Sequence, residues 1–173
     1  IVKNKIRQYI NDFKLIGSLH KKFQIQFDNT LKIIDYKIEA SGNIKKSEIE
    51  LINPQKYFFL KNKIKNINLD KSEFKIKYNK KNEKSLDMSG SYKINDNLFQ
   101  RFNIKHSQHI NSQKISFNGS FDDEILIPIL NYNSNNNIVN IDTLLETKKD
   151  KINFKKINFS QGKNKINIKN LQI

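Results

Sequence analysis

The chain has 173 residues, a formal net charge of +15, no cysteine and 36% hydrophobic residues. Without cysteine, disulfides, thiolate metal sites and CxxC redox chemistry are excluded, and no run approaches the roughly 18 apolar positions of a membrane-spanning helix. The charge comes from 30 Lys against 2 Arg, beside 28 Ile, 26 Asn and a single Ala, the usage of AT-rich codons; it reads as coding bias over a solvated lysine face more readily than as nucleic-acid recognition, which favours the arginine fork.

In chain order, Val2, Ile6, Tyr9 and Phe13 fall at spacings of four, three and four, which predicts a short N-terminal helix over 1–12. From 13 to 173 the period changes to two. Phe23-Ile25-Phe27, Ile34-Tyr36-Ile38-Ala40, Phe74-Ile76-Tyr78 and Leu86-Met88-Gly90-Tyr92 each place their apolar members on one face of a strand. Phe102-Ile104-His106, Ile115-Phe117-Gly119-Phe121, Ile152-Phe154 and Ile166-Ile168 continue the beat. Roughly ten to twelve strands of ordinary length are expected. Their separators are turn-forming: Asp28-Asn29, Ser41-Gly42-Asn43, Asn53-Pro54, Asn79 to Asn82, Asn95-Asp96-Asn97 and Asn133 to Asn137. Pro128 lacks a ladder donor and marks an edge or bulge.

No helices intervene between the strands, so an antiparallel meander is expected rather than a parallel βαβ sheet. Gly17, Gly90 and Gly119 each sit inside an alternating run, a device that suggests a progressively curving sheet. No Gly- or Pro-rich linker divides the chain. Because it opens on Ile1, residues 1–173 read as a single β segment of a larger chain. Residues 115–147 contain no Lys or Arg, an interruption that a continuous phosphate-tracking surface would not need.

Candidate chemistry is sparse. His106 and His109 are three apart, which suits a metal on a helix but points to opposite faces on a strand. Asp122-Asp123-Glu124 reads as a solvated turn. No nucleophile set, phosphate-binding glycine loop or zinc spacing occurs. Neither an enzyme nor a cofactor is therefore expected. In Phe74-Lys75-Ile76-Lys77-Tyr78 the aromatics face one way and the lysines the other, whereas base stacking wants both on one face. Nucleic acid is not an expected partner. What remains is one bulky apolar face per strand. Either the sheet packs on itself as a sandwich or barrel, or the face lines a groove for an apolar ligand.

The stretch Phe121-Asp122-Asp123-Glu124-Ile125-Leu126-Ile127-Pro128, then Ile138 to Leu145, Ile152 to Phe159 and Gln161 to Leu171, resembles the strand cadence of the AsmA superfamily, in particular its YhdP-like branch. The similarity extends loosely from Phe13 to Ile173 and includes the Gly17, Gly90 and Gly119 device. The resemblance implies an all-β fold, a curved antiparallel meander sheet forming an open groove. It also implies a periplasmic location, with inner-membrane anchorage through a part of the parent chain outside this segment, and phospholipid as partner. It offers no catalytic residues. The expected groove-lining set is Phe23, Ile25, Phe27, Ile34, Tyr36, Ile38, Phe74, Ile76, Tyr78, Phe117 and Phe121. The rival expectation is a closed β-sandwich serving as a structural or adhesive module of a surface or phage protein.

Overall fold

In a computed structural model of the chain, the residues described are 9–57, 60–122, 125–127, 132–133, 138–148 and 151–172. They form eleven strands. Nine make one antiparallel meander: β1 (Ile10–Phe27), β2 (Ile33–Gln55), β3 (Ile64–Asn79), β4 (Lys84–Ile94), β5 (Gln100–His109), β6 (Ser112–Phe121), β9 (Val139–Lys148), β10 (Lys151–Gln161) and β11 (Asn164–Gln172). A two-strand pair, β7 (Leu126–Ile127) with β8 (Tyr132–Asn133), is inserted between β6 and β9, which are themselves paired. The sheet does not close, and β1 and β11 are its two edges. Among the described residues the β7–β8 pair is the only other sheet, so the closed sandwich finds no second layer of comparable size.

The helix expected over 1–12 is not seen. Positions 1–8 lie outside the described residues, Tyr9 is in a turn and Ile10 opens β1. The reason is tertiary. A helix of this length is marginal on its own, whereas β2 offers backbone partners: Ile10 pairs with Leu51, and the Ile52 N–H donates to the Tyr9 carbonyl at 3.0 Å.

Three of the six separators, Asp28-Asn29, Asn79 to Asn82 and Asn95-Asp96-Asn97, become turns, each with its own chemistry. Asp28 Oδ1 accepts from the backbone N–H groups of Thr30 (2.8 Å) and Lys32 (2.9 Å) and from the Thr30 hydroxyl (2.7 Å). These three bonds tie off the β1–β2 connection and hold the Asp28 carboxyl below its usual range. Asn82 and Asn95 take positive φ angles of 58° and 55°, which asparagine tolerates better than most residues. Two expected separators do not break a strand. Ser41-Gly42-Asn43 and Asn53-Pro54 both lie inside β2, which runs for 23 residues. Gly42 is there for proximity rather than turning, since a Cβ on it would stand 1.9 Å from the Ser18 carbonyl oxygen. Pro128 and positions 134–137 lie outside the described residues.

Paired residues on adjacent strands share a face, and the register therefore divides the sheet into two chemistries. One face carries Phe13, Leu15, Leu19, Phe23 and Ile25 of β1 opposite Ile49, Ser47, Gly42, Ile38 and Tyr36 of β2. The other carries Lys14, His20 and Lys22 opposite Glu48, Ser41 and Glu39. The same division continues to β11, where Ile166 and Ile168 oppose Phe159 and Ile157 while Lys165 and Asn167 oppose Ser160 and Asn158.

The apolar face is covered at one end only. There Leu60, from the β2–β3 connection, forms an isolated bridge with Ile125, which follows β6. Together with Ile64, Ile94, Val139 and Phe159 they make the buried cluster, with Ile67, Tyr92, Phe121 and Ile166 packed around it. The accessible surface of the chain is 12779 Å². A compact monomer of 20.5 kDa would expose about 8,900 Å². A layer left open is one source of that excess.

Candidate functional site

The apolar face is the feature whose chemistry is unaccounted for by packing. Its first row is apolar only on β1–β3, where Phe23 opposes Ile38 and Ile38 opposes Tyr78, and continues through Lys84, Gln108, Gln113 and Thr147 to Ile152. The next row starts at Lys21 on β1 and then runs Ala40–Ile76–Leu86–His106–Ile115–Leu145–Phe154–Leu171. A third runs Leu19–Gly42–Phe74–Met88–Ile104–Phe117–Thr143–Ile157–Ile168. With strands about 4.8 Å apart, such a row crosses roughly 40 Å.

The expected lining residues distribute unevenly over this surface. Phe23, Ile25, Tyr36, Ile38, Phe74, Ile76 and Tyr78 come together on β1–β3, with Phe27 at the strand end opposite Ile33. Ile34 does not join them by register. The pairing shifts between Gln26 and Phe27, so Ile34 is the extra residue of a bulge, and its carbonyl accepts from Lys80 Nζ at 2.9 Å. Phe117 lies on the same face three strands away, opposite Ile104 and Thr143. Phe121 belongs to the covered end. Its ring meets Tyr92 edge-on at 5.9 Å and Phe117 at 5.7 Å, and it opposes the fully buried Val139.

Leu19, Leu86, Met88, Ile104 and Leu145 complete the wall between these groups. Their signal in the sequence is the same alternation that singled out the others. Leu60 and Ile125 had no such signal, because a residue in a connection has no periodic neighbours to reveal its direction.

Exposure grades along the face. Phe23 is 61% exposed, Ile25 54% and Phe27 50%, against 2% for Ile125. The gradient has a local cause in the row containing Gly17, Ile44, Ser72 and, on β4–β6, Gly90, Phe102 and Gly119. Small residues here admit neighbouring backbone and bulk: a Cβ on Gly90 would stand 2.0 Å from Ser72 Oγ and 2.5 Å from Ser72 Cα. Ile44 and Phe102 are buried in that row.

The uncovered end has an amphipathic rim. The Tyr36 and Tyr78 rings are 5.8 Å apart, the Tyr36 hydroxyl meets the Tyr78 hydroxyl at 3.3 Å, and the Tyr78 hydroxyl reaches Asn82 Oδ1 at 3.0 Å. That contact with Tyr78 raises the Tyr36 phenol above its ordinary value. Lys84 Nζ stands 5.6 Å from the centre of the Tyr78 ring. At the covered end Tyr92 is the counterpart. Its hydroxyl donates to the Ser120 carbonyl at 2.8 Å, and burial pushes its phenol well up.

The residues weighed for chemistry are placed apart. His106 lies between Leu86 and Ile115 on the apolar face, whereas His109, opposite Ser112 on the polar face, is 3.4 Å from Glu83. Asp122 accepts the Leu98 N–H at 2.8 Å, a loop-fixing role. Asp123 and Glu124 lie outside the described residues. Comparison with family models, with curated proteins and with solved structures finds no match for this chain.

Proposed function

We propose that this chain holds the acyl chains of phospholipid against its apolar sheet face. In this reading it is a non-catalytic, groove-forming segment of a lipid-transfer protein bridging the inner and outer membranes of a bacterial envelope. The parent chain is anchored in the inner membrane outside this segment. The observation that carries the reading is one sheet face whose Leu19-to-Ile168 row is mainly aliphatic and aromatic across the nine strands, with Phe13, Leu15, Leu19, Phe23, Ile25 and Phe27 of β1 left half-exposed on it. Soluble monomers rarely leave contiguous apolar area of this kind without a partner for it. The envelope context in this proposal comes from the resemblance of the strand cadence to that of the AsmA superfamily.

The mechanism is passive. Methylene groups lie on Phe23, Ile25, Ile38, Phe74, Ile76 and Phe117, while the headgroup stays at the rim near Tyr36, Tyr78 and Lys84. Full burial contributes about 0.8 kcal/mol per CH₂. An open wall covers about half of each group, so a chain of about sixteen carbons gains roughly 6 kcal/mol. That corresponds to dissociation constants on the order of tens of micromolar. Such a chain is held, yet a wall of repeated rows has no deep minimum to stop it sliding.

The test is native mass spectrometry of the purified chain with lipid extraction of the same sample. Phospholipid should co-purify, and the double substitution Ile76→Asp/Phe117→Asp should abolish it, together with transfer between vesicles, while the β-sheet circular dichroism is unchanged. A folded double variant that retains and transfers lipid normally would sink the proposal, and a lipid-free wild type would favour a structural module.

A further inference from the structure

The polar face holds a second feature, independent of the lipid reading because it lies on the other side of the sheet. A hollow of about 440 Å³ spans β3 to β6, and its walls are Lys75 and Lys77 on β3, Lys105 on β5 and Lys114 on β6. The register arranges these groups in two rows. In one, Lys77 opposes Ser85, Ser85 opposes Ser107 and Ser107 opposes Lys114. Two lysines thus face each other across a floor of two hydroxyls, their backbones about 14 Å apart across three strand spacings. In the other row Lys75 opposes Asp87, Asp87 opposes Lys105 and Lys105 opposes Ser116.

Charge is not balanced inside this hollow. Lys105 is 3.5 Å from Asp87 and Lys114 is 3.3 Å from Glu146. Lys75 and Lys77 form no salt bridge among the described residues; they only assist Lys37, whose hydrogen bond is the first cause, in holding the Glu39 carboxyl below its usual range. Lys77 opposes Glu39 and Lys75 opposes Asp87, but those carboxylates already pair with Lys37 and Lys105, which leaves two cations in surplus over a serine floor. Lysine ammonium groups act as point charges for phosphate oxygens, and serine hydroxyls donate to the same oxygens.

We infer that the hollow walled by Lys75, Lys77, Lys105 and Lys114 is a binding site for a phosphate-bearing anion, with Ser85 and Ser107 as hydroxyl donors beneath it. Coding bias accounts for the abundance of lysine in this chain. It does not account for four lysines surrounding a serine-floored hollow with too few carboxylates to neutralise them.

The experiment is calorimetric titration of the 173-residue chain with inorganic tripolyphosphate in about 50 mM salt, where screening is weak. Saturable binding is expected. Lys75→Gln/Lys77→Gln should weaken it by about tenfold or more, the scale set by charge-assisted hydrogen bonds. Lys163→Gln/Lys165→Gln removes the same formal charge from the β10–β11 hairpin and should leave it unchanged. Lys77→Arg, which keeps the charge, should retain binding and so separates loss of the site from loss of fold. Absence of saturable binding, or equal loss in the two glutamine pairs, overturns the site. Flotation with vesicles of phosphatidic acid in phosphatidylcholine then identifies the source of the phosphate. Capture that is lost in Lys75→Gln/Lys77→Gln makes it a lipid headgroup. Capture that is unaffected by the substitution makes it a soluble phosphate.

Discussion

Individual side chains set the local shape of this sheet through what they leave out. Gly90 faces Ser72, itself fully buried, with no space for a methyl group between them. Gly90→Ala should therefore destabilise the chain by about 1–3 kcal/mol, read from the denaturant midpoint. Adding Ser72→Gly should recover part of the loss, since it removes Oγ and Cβ but leaves the backbone in place; strict additivity of the two changes would refute the contact. Asp28 makes a second residue-level case. Its carboxyl is held below the ordinary value of 3.8 by the Thr30 hydroxyl and the Lys32 and Thr30 amides. A lowered folded-state value means the carboxylate supports the turn above the unfolded pKa and ceases to as pH falls through the folded one. Resonances of the β1–β2 turn should therefore shift with a midpoint below 3.8 in an NMR titration, and Asp28→Ala should remove that step.

At the scale of elements, alternation was enough to read the strands and their apolar faces, because side-chain direction in a strand is a purely local property. Phe74, Ile76 and Tyr78 could be assigned to one face and Lys75 and Lys77 to the other before any pairing was known. Three things escaped that reading. The residues of the expected N-terminal helix from Ile10 onward pair with β2, and pairing depends on a partner some 40 residues away. Gly42 punctuates nothing, because its role is set by the carbonyl of Ser18 on another strand. Leu60 and Ile125 meet across the sheet although each lies in a connection without periodicity. The contrast between covered and open ends can be measured. Ile125→Ala, at a site 2% exposed, should cost about 2–5 kcal/mol. Phe23→Ala, at 61% exposed, should cost less than about 1 kcal/mol despite removing the larger side chain. Comparable losses at the two sites would mean that the β1 end is covered as well.

At the scale of the whole molecule, two opposed surface properties must be reconciled: an uncovered apolar wall and a net charge of +15. The wall favours association of two chains face to face, by a term that is not weakened by ordinary salt. The charge opposes it, because each chain brings its lysines to the back and rims of such a pair. The balance depends on ionic strength. The screening length is about 10 Å at 0.1 M salt and about 3 Å at 1 M, shorter than the thickness of two stacked sheets, about 10 Å apart. Lipid-stripped protein should therefore sediment as a monomer in low salt and associate as sodium chloride approaches about 1 M. Phe23→Lys/Ile25→Lys should keep it monomeric there, since the substitution both removes wall area and adds charge at the contact. Lipid-loaded protein should behave like that variant, its wall already occupied. A lipid-stripped chain that stays monomeric across the whole salt range would show that the face from Phe13 to Phe27 is not available to a partner, and the acyl-chain reading would lose its binding surface.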